Sequence, residues 1–177
     1  SYTNVTAVNL PSTLKTINTN AFSNSKITTI NIPAGTDDIK DGAFAQIENL
    51  TAITVDAGNP KYTAEDGVLY ETTSGNKYLK AYPVAKAGTT FTVPNGVYGV
   101  STNAFQQAKN LTTINLPASI QDLPTTKEAN GFTSATNLTA IKVAAGNTKF
   151  KDEDGVVLTQ DGKTLVAYPF ARHGVVN

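Results

Sequence analysis

Groups able to do chemistry are few in this 177-residue chain: one histidine, no cysteine, and a few acids that stand next to each other. His173 stands near the end of the chain with no G-x-S-x-G elbow to supply a nucleophile, so it is read as an exposed surface residue. The stretch "DEDG" at 152–155 suggests calcium, a hard cation that prefers carboxylate oxygens. An EF-hand loop counted from Asp152 would need Glu at its twelfth position, and Lys163 is there. Gly155 also matches Gly67 of an earlier "AEDG", so both are read as turns entering a strand. Asp37-Asp38 and Glu65-Asp66 have the residue types of a glycosidase. That reaction needs two carboxylates on opposite sides of a sugar at a set separation, whereas adjacent acids in turns are solvated charges. No phosphate-binding glycine loop is present, and the missing cysteines remove disulfides and thiolate metal sites. The reading is therefore no catalytic residue, no cofactor and no metal.

Binding chemistry is better provided for. Tyr70 and Tyr78 flank a turn, and Tyr78 is an aromatic that the equivalent position, Thr164, does without. An exposed tyrosine suits both protein interfaces and sugar stacking. Asn49, Asn110 and Asn137 each open an "NLT" at one repeat position, which favours a structural role over glycosylation. Fourteen basic residues balance fourteen acidic ones without a run of like charge, so nothing draws nucleic acid. No apolar stretch reaches the roughly 20 residues of a membrane helix.

These groups have to be held by something, and repetition supplies it. "ITTINIPAG" at 27–35 returns as "LTTINLPAS" at 111–119. Related phrases occur at 5–11, 50–55, 89–94 and 138–143. Their common form is apolar-x-x-apolar-x-apolar, with Pro directly after four of the six. Alternation at the last three positions predicts a short strand with Ile30 and Ile32 inward and Asn31 outward. Pro33 and Pro117 end it, since proline has no N–H for the ladder. Beyond most prolines comes an "AF" or "GF" that sets Phe22, Phe44, Phe105 and Phe132 in a short turn or helix on the convex side. The spacing of 22 and 23 residues from Val8 to Ile30 to Ile53 lies in the leucine-rich-repeat range. Units so small bury their apolar residues only by stacking.

A longer period overlies the short one. "NPKYTAEDGVLY" (59–70) returns as "NTKFKDEDGVVL" (147–158), and "YLKAYP" (78–83) as "TLVAYP" (164–169). Each half therefore ends in an inserted β-hairpin, turning at 73–76 in the first and at Gln160-Asp161-Gly162 in the second. Leu69, Leu79 and Tyr82, with their matches Leu158, Leu165 and Tyr168, are expected to anchor the hairpins to the core.

Together the two motifs resemble the BspA-type leucine-rich repeat family over residues 5 to 172. The loop at 118–131 departs from the pattern, being about four residues longer than its counterpart. The resemblance implies a bacterial surface or secreted protein that adheres to host proteins or other cells, and it transfers no ligand residues.

The fold expected is a repeat solenoid, a leucine-rich-repeat right-handed β-α superhelix with short parallel strands, short convex turns or helices and inserted hairpins. Residues 1–177 form one domain of two super-repeats, 1–88 and 89–177. The chain is read as an excised segment, extracellular or at the outer cell surface, from which signal or anchor has been removed. Its expected function is non-enzymatic binding of a protein or glycan on a host or neighbouring cell. The alternatives are a carbohydrate-handling protein, part of a larger hydrolase, or a structural spacer. Candidate partner-binding residues are the outward Asn9, Thr29, Asn31, Thr54, Thr92, Thr113, Asn115 and Lys142, with Tyr70 and Tyr78. The oligomeric state is left unassigned.

Overall fold

The structure, a computed structural model, describes residues 5–124, 131–132 and 134–173. Residues 125–130 of the longer loop at 118–131 lie outside the described residues. Fourteen strands make up the regular structure, and no helix occurs among the described residues. The expected β-α superhelix is thus corrected to a β-solenoid. The convex elements holding Phe22, Phe44 and Phe105 are turns.

Predicted strands form in five of the six phrases, and the first, at 5–11, is in no strand. β2 (Thr29–Ile32) pairs in parallel with β4 (Ala52–Val55), setting Ile30 beside Ile53 and Ile32 beside Val55. In the second half β10 (Thr113–Leu116) lies between β8 (Thr90–Thr92) and β11 (Ala140–Val143), with Phe91, Ile114 and Ile141 in one rung. Ile30, Ile53, Ile114 and Ile141 are buried. The threonine that follows the leading Leu forms a second ladder: Thr51, Thr112 and Thr139 hydroxyls donate to the carbonyls of Thr28, Thr89 and Thr112 one turn earlier. Asn110 and Asn137 amides do the same, which is the structural role of their "NLT" triplets.

Several turns have a second strand that the sequence pattern did not reveal. β1 (Thr16–Ile17) pairs in parallel with β3 (Asp38–Ile39), and β9 (Val97–Val100) meets Asp122 through a parallel bridge at Gly99. The insertions are three-stranded meanders and so larger than the hairpins expected. β5 (Tyr62–Glu65), β6 (Val68–Thr73) and β7 (Asn76–Ala81) form the first, and β12 (Phe150–Glu153), β13 (Val156–Thr159) and β14 (Leu165–Ala167) the second. At their first turns Asp66-Gly67 and Asp154-Gly155 all have positive φ, as a tight two-residue hairpin turn requires. Each glycine sits on an alanine of the neighbouring solenoid strand, so that a Cβ at Gly155 would lie 2.7 Å from the Ala140 Cβ. Gly67 and Gly155 carbonyls also accept the N–H of Ile53 and Ile141, closing the free edges of β4 and β11.

Asn59 and Asn147 fix the chain as it enters each meander. Asn147 Nδ2 donates to Ile120 O at 2.8 Å and Ala118 O at 3.2 Å, while its Oδ1 accepts the N–H of Lys149 and Phe150. Asn59 does likewise with Pro33 and Thr36 carbonyls and with Lys61 and Tyr62 N–H.

The first meander divides its side chains between two cores. Tyr62 and Leu69 pack with Ile30, Ile47 and Ile53 of the first half, whereas Val68, Tyr70, Leu79 and Tyr82 pack with Phe105, Ile114 and the second half. The hairpin anchors hold in this half only. Leu165 and Tyr168 are exposed and Leu158 half-buried, because among the described residues no strand covers β14 as β9 covers β7.

Ile30→Asp or Leu116→Asp puts an unpaired charge in the shared core and is expected to cost at least about 3 kcal/mol. Thr29→Asp, on the outer face of the same strand, is expected to change stability by less than about 0.5 kcal/mol. Urea unfolding distinguishes the two, and equal losses would show that the strand faces are assigned wrongly.

Candidate functional site

Two surfaces carry the candidate residues. On the parallel-strand side Thr29, Asn31 and Thr54 are exposed, and the last two are bonded to each other. Thr54 Oγ1 donates to Asn31 Oδ1 at 2.8 Å, and Asn31 Nδ2 donates to Asp56 Oδ1 at 2.7 Å. Thr92, Asn115 and Lys142 stand in one rung of the second sheet, with Asn115 Nδ2 donating to Thr92 Oγ1 at 3.1 Å. They border a shallow groove of roughly 300 Å³ floored by Val93, Leu116 and Val143. Thr113 is half-exposed on β10, and Asn9 is exposed ahead of Pro11, outside any strand. These residues do not form one column. The strands belong to two separate sheets, and the glycine turns of the meanders cover the outward Ala52 and Ala140. Two acids of "DEDG" are likewise engaged in structure: Asp152 accepts the Val143 N–H at 2.7 Å and lies 3.9 Å from Lys142, and Glu153 pairs with Lys151 at 2.8 Å.

The second surface belongs to the meander, and only Tyr78 of it was foreseen. Tyr70 is 1% exposed and cannot meet a partner, which removes it from the candidates. Burial, with Glu65 and Asp66 nearby, pushes its hydroxyl well above the ordinary tyrosine range, and Lys77 Nζ sits 4.4 Å from the ring centroid. Tyr78, by contrast, is half-exposed and borders an open cleft of roughly 380 Å³. Its ring packs edge-on to Tyr98 at 5.7 Å, and its hydroxyl donates to Asp122 at 3.2 Å. Beneath it lies Gly99, where any Cβ would come within 2.6 Å of the ring. Glycine is needed there to let the tyrosine lie flat.

Charges on the opposite wall are fixed. Glu71 bridges Lys61 at 3.0 Å and Lys80 at 3.2 Å, and Lys80 also reaches Asp41 at 2.7 Å. Burial alone would raise the Glu71 carboxyl, but hydrogen bonds and charge from Lys61 and Lys80 hold it below its ordinary value. For Lys80 burial works downward, and Asp41 with Glu71 overcomes it to raise the ammonium. Sequence pattern could not show this group, because Asp41 lies on a convex turn of an earlier repeat while Glu71 and Lys80 lie on the consecutive strands β6 and β7. The arrangement is a cleft of settled ion pairs beside a half-exposed aromatic pair. It can stack, hydrogen-bond and complement charge, and no group in it is set up as a nucleophile.

The fold and its surfaces can now be set beside known proteins. The model of the BspA-type leucine-rich repeat region matches residues 1–74 and 81–153, in six copies. The chain belongs to the BspA-type leucine-rich repeat family. Among solved structures it is similar to a leucine-rich cell surface protein from Faecalibacterium prausnitzii A2-165, with 27% identity and a TM-score of 0.59 over 78% of this chain and 41% of that one. A leucine-rich repeat protein from Eubacterium ventriosum ATCC 27560 is 28% identical, with a TM-score of 0.62 over 80% of this chain and 42% of that one. The pneumococcal vaccine antigen PcpA shares the fold, at 22% identity and a TM-score of 0.62 over 72% of this chain and 30% of that one. The chain thus spans less than half the length of these relatives. No curated protein matches it.

The Glu71 pairs carry a pH signature. The folded carboxyl lies below its free value near 4.5, so its contribution is complete above that pH and is lost as pH falls through the folded value. Glu71→Gln is expected to cost about 2 kcal/mol at neutral pH, with the deficit shrinking steadily below pH 4.5. Urea midpoints of both proteins across that range measure it, and a deficit unchanged at about pH 3, well under the free value, would assign the loss to packing.

Proposed function

We propose that this chain is part of a non-enzymatic bacterial surface protein that holds a macromolecular partner, a protein or a glycan of a host or neighbouring cell, through the Tyr78 cleft. Family membership supports the surface location, as does a relative described as a cell surface protein. The observation that carries the site is the half-exposed Tyr78–Tyr98 pair, held over Gly99 and by Asp122 beside the fixed charges of Glu71, Lys80 and Asp41. Aromatic side chains that are already ordered give contact area at little entropic cost, which is what a binding surface requires. The groove beside Asn115 and Lys142 is a secondary surface for the same partner, being shallow and lined by a single charged side chain. Tyr78 keeps a sugar partner within this reading, since one ring face on an open cleft is what sugar stacking uses.

Immobilised matrix proteins and a glycan array, probed with the purified chain, are expected to give saturable binding. Tyr78→Ala should weaken it at least about tenfold, a loss near the 1.4 kcal/mol expected of a central aromatic. Lys142→Ala, on the other face, should leave it within about twofold. Loss at Lys142 with retention at Tyr78 would move the site to the parallel-strand groove, and no saturable signal on any surface would contradict the binding role.

A further inference from the structure

The Tyr78 cleft contains one carboxylate that its own cations leave unmatched. Glu71 has both oxygens engaged in the wall: Oε1 accepts from Lys61 at 3.0 Å and from Thr73 Oγ1 at 3.2 Å, and Oε2 from Lys80 at 3.2 Å. Asp41 Oδ1 holds the same Lys80 at 2.7 Å. Asp122 differs. Its Oδ2 accepts the Tyr78 hydroxyl at 3.2 Å, its side chain is exposed, and no cation among the described residues pairs with it. Asp41, Glu71 and Asp122 line the cleft with Lys80 as the basic residue among them. Even with Lys61 set against Glu71, one negative charge is left over, and it stands at Asp122.

That carboxylate and the ring beside it are held in place. Asp122 N–H donates to Tyr98 O at 3.1 Å, and Asp122 O accepts the Val100 N–H at 3.1 Å, so β9 fixes its backbone from both sides. Tyr78 rests on Gly99, lies edge-on to Tyr98 and turns its other face to the cleft. Burial, with the Asp122 charge beside it, pushes the Tyr78 hydroxyl above its ordinary range, so it stays a donor to that carboxylate. The face of an aromatic ring is negative, and a hydroxyl polarised toward a carboxylate makes it more so.

A negative ring face next to an unpaired carboxylate selects a cation. Arginine suits both at once. Its guanidinium is flat enough to stack on the ring and directs N–H groups sideways into a carboxylate, whereas the lysine ammonium is a strongly hydrated point charge. An acidic sugar would find no free cation in the wall, because Asp41 and Glu71 already hold Lys80. A neutral sugar would use the ring and gain nothing from the charge of Asp122.

The geometry points to an arginine side chain of a protein partner as the occupant of this cleft. Its guanidinium lies on the open face of Tyr78 and donates to the free oxygen of Asp122. The assignment rests on the proposed role of the Tyr78 cleft and narrows its partner from a protein or a glycan to a protein with an exposed arginine. Lys80 keeps both of its carboxylates, and the ring is already in position, so little has to be ordered on binding.

The test titrates N-acetyl-L-arginine amide into the 177-residue chain, labelled at its tyrosine rings and followed by NMR. The Tyr78 signals are those missing from Tyr78→Phe. They and the Tyr98 signals should shift saturably at roughly millimolar concentrations of the probe. The citrulline analogue, which has the same shape and no charge, should leave them in place. Asp122→Asn keeps an acceptor for the Tyr78 hydroxyl at an exposed position, so the melting temperature should hold while arginine binding weakens at least about fivefold. Asp154→Asn, an exposed acid of the second meander, should bind as the wild type does. No shift with arginine, an equal shift with citrulline, undiminished binding in Asp122→Asn, or a shift with methyl β-galactoside alone would each overturn the inference. On the matrix-protein and glycan surfaces the two proposals separate. Saturable binding to a matrix protein that falls with Asp122→Asn and is competed by the arginine probe supports both. Binding that falls with Tyr78→Ala and ignores Asp122→Asn keeps the macromolecular role and overturns the arginine. An arginine shift at Tyr78 without saturable binding on any surface keeps the cation specificity of the cleft and overturns the macromolecular role.

Discussion

Outside the meanders the strands of this solenoid have two to four residues each among the described residues, too little to enclose a dry interior. Ile30 is buried because Ile53 lies beside it in the next rung, and Ile114 because Phe91 and Ile141 flank it. Every other feature follows from this dependence on the neighbour. Thr51, Thr112 and Thr139 give their hydroxyls to the preceding turn, and Asn59 and Asn147 tie each meander to the turn before it. Stability of this kind is a sum of interfaces between units, with little held within any one.

The meanders make that sum uneven. The first stands between two hydrophobic cores and sends side chains to both, with Leu69 on one side and Tyr70, Leu79 and Tyr82 on the other. It is therefore the joint of the molecule, and it also builds the cleft. Tyr78, Glu71 and Lys80 are half-exposed because they lie on the outer side of strands whose inner side closes the core. A rigid scaffold holds the cleft open, and its ion pairs fix the wall opposite the tyrosine.

Much of this was legible in the chain. The parallel strands follow from apolar alternation in "ITTINIP" and its copies, and the meander turns from Asp-Gly and Ser-Gly between apolar runs. β1 and β3 were not legible, because two residues cannot display an alternation. The convex helix was a choice between turn and helix that one Phe per repeat does not decide, and positive φ at Asn20, Gln46, Asn103 and Gln107 makes it a turn. Tyr70 was misplaced for a different reason. A tyrosine beside a turn reads as exposed, and only the second core packing over β6 buries it. Leu165 and Tyr168 failed as anchors because their copies Leu79 and Tyr82 owe their burial to the repeat that follows. The Asp41–Lys80–Glu71 group joins residues of different repeats and has no local signature.

Cutting the chain after residue 88 asks most directly whether the halves complete each other. The fragment 1–88 keeps the whole first core but leaves Val68, Tyr70, Leu79 and Tyr82 without the side chains that cover them. If burial is shared between neighbours, its urea midpoint should fall far below that of the full chain, or the fragment should fail to fold. A fragment that unfolds cooperatively at the midpoint of the full chain would mean that each half closes its own interior, and stacking would then not be what holds this fold together.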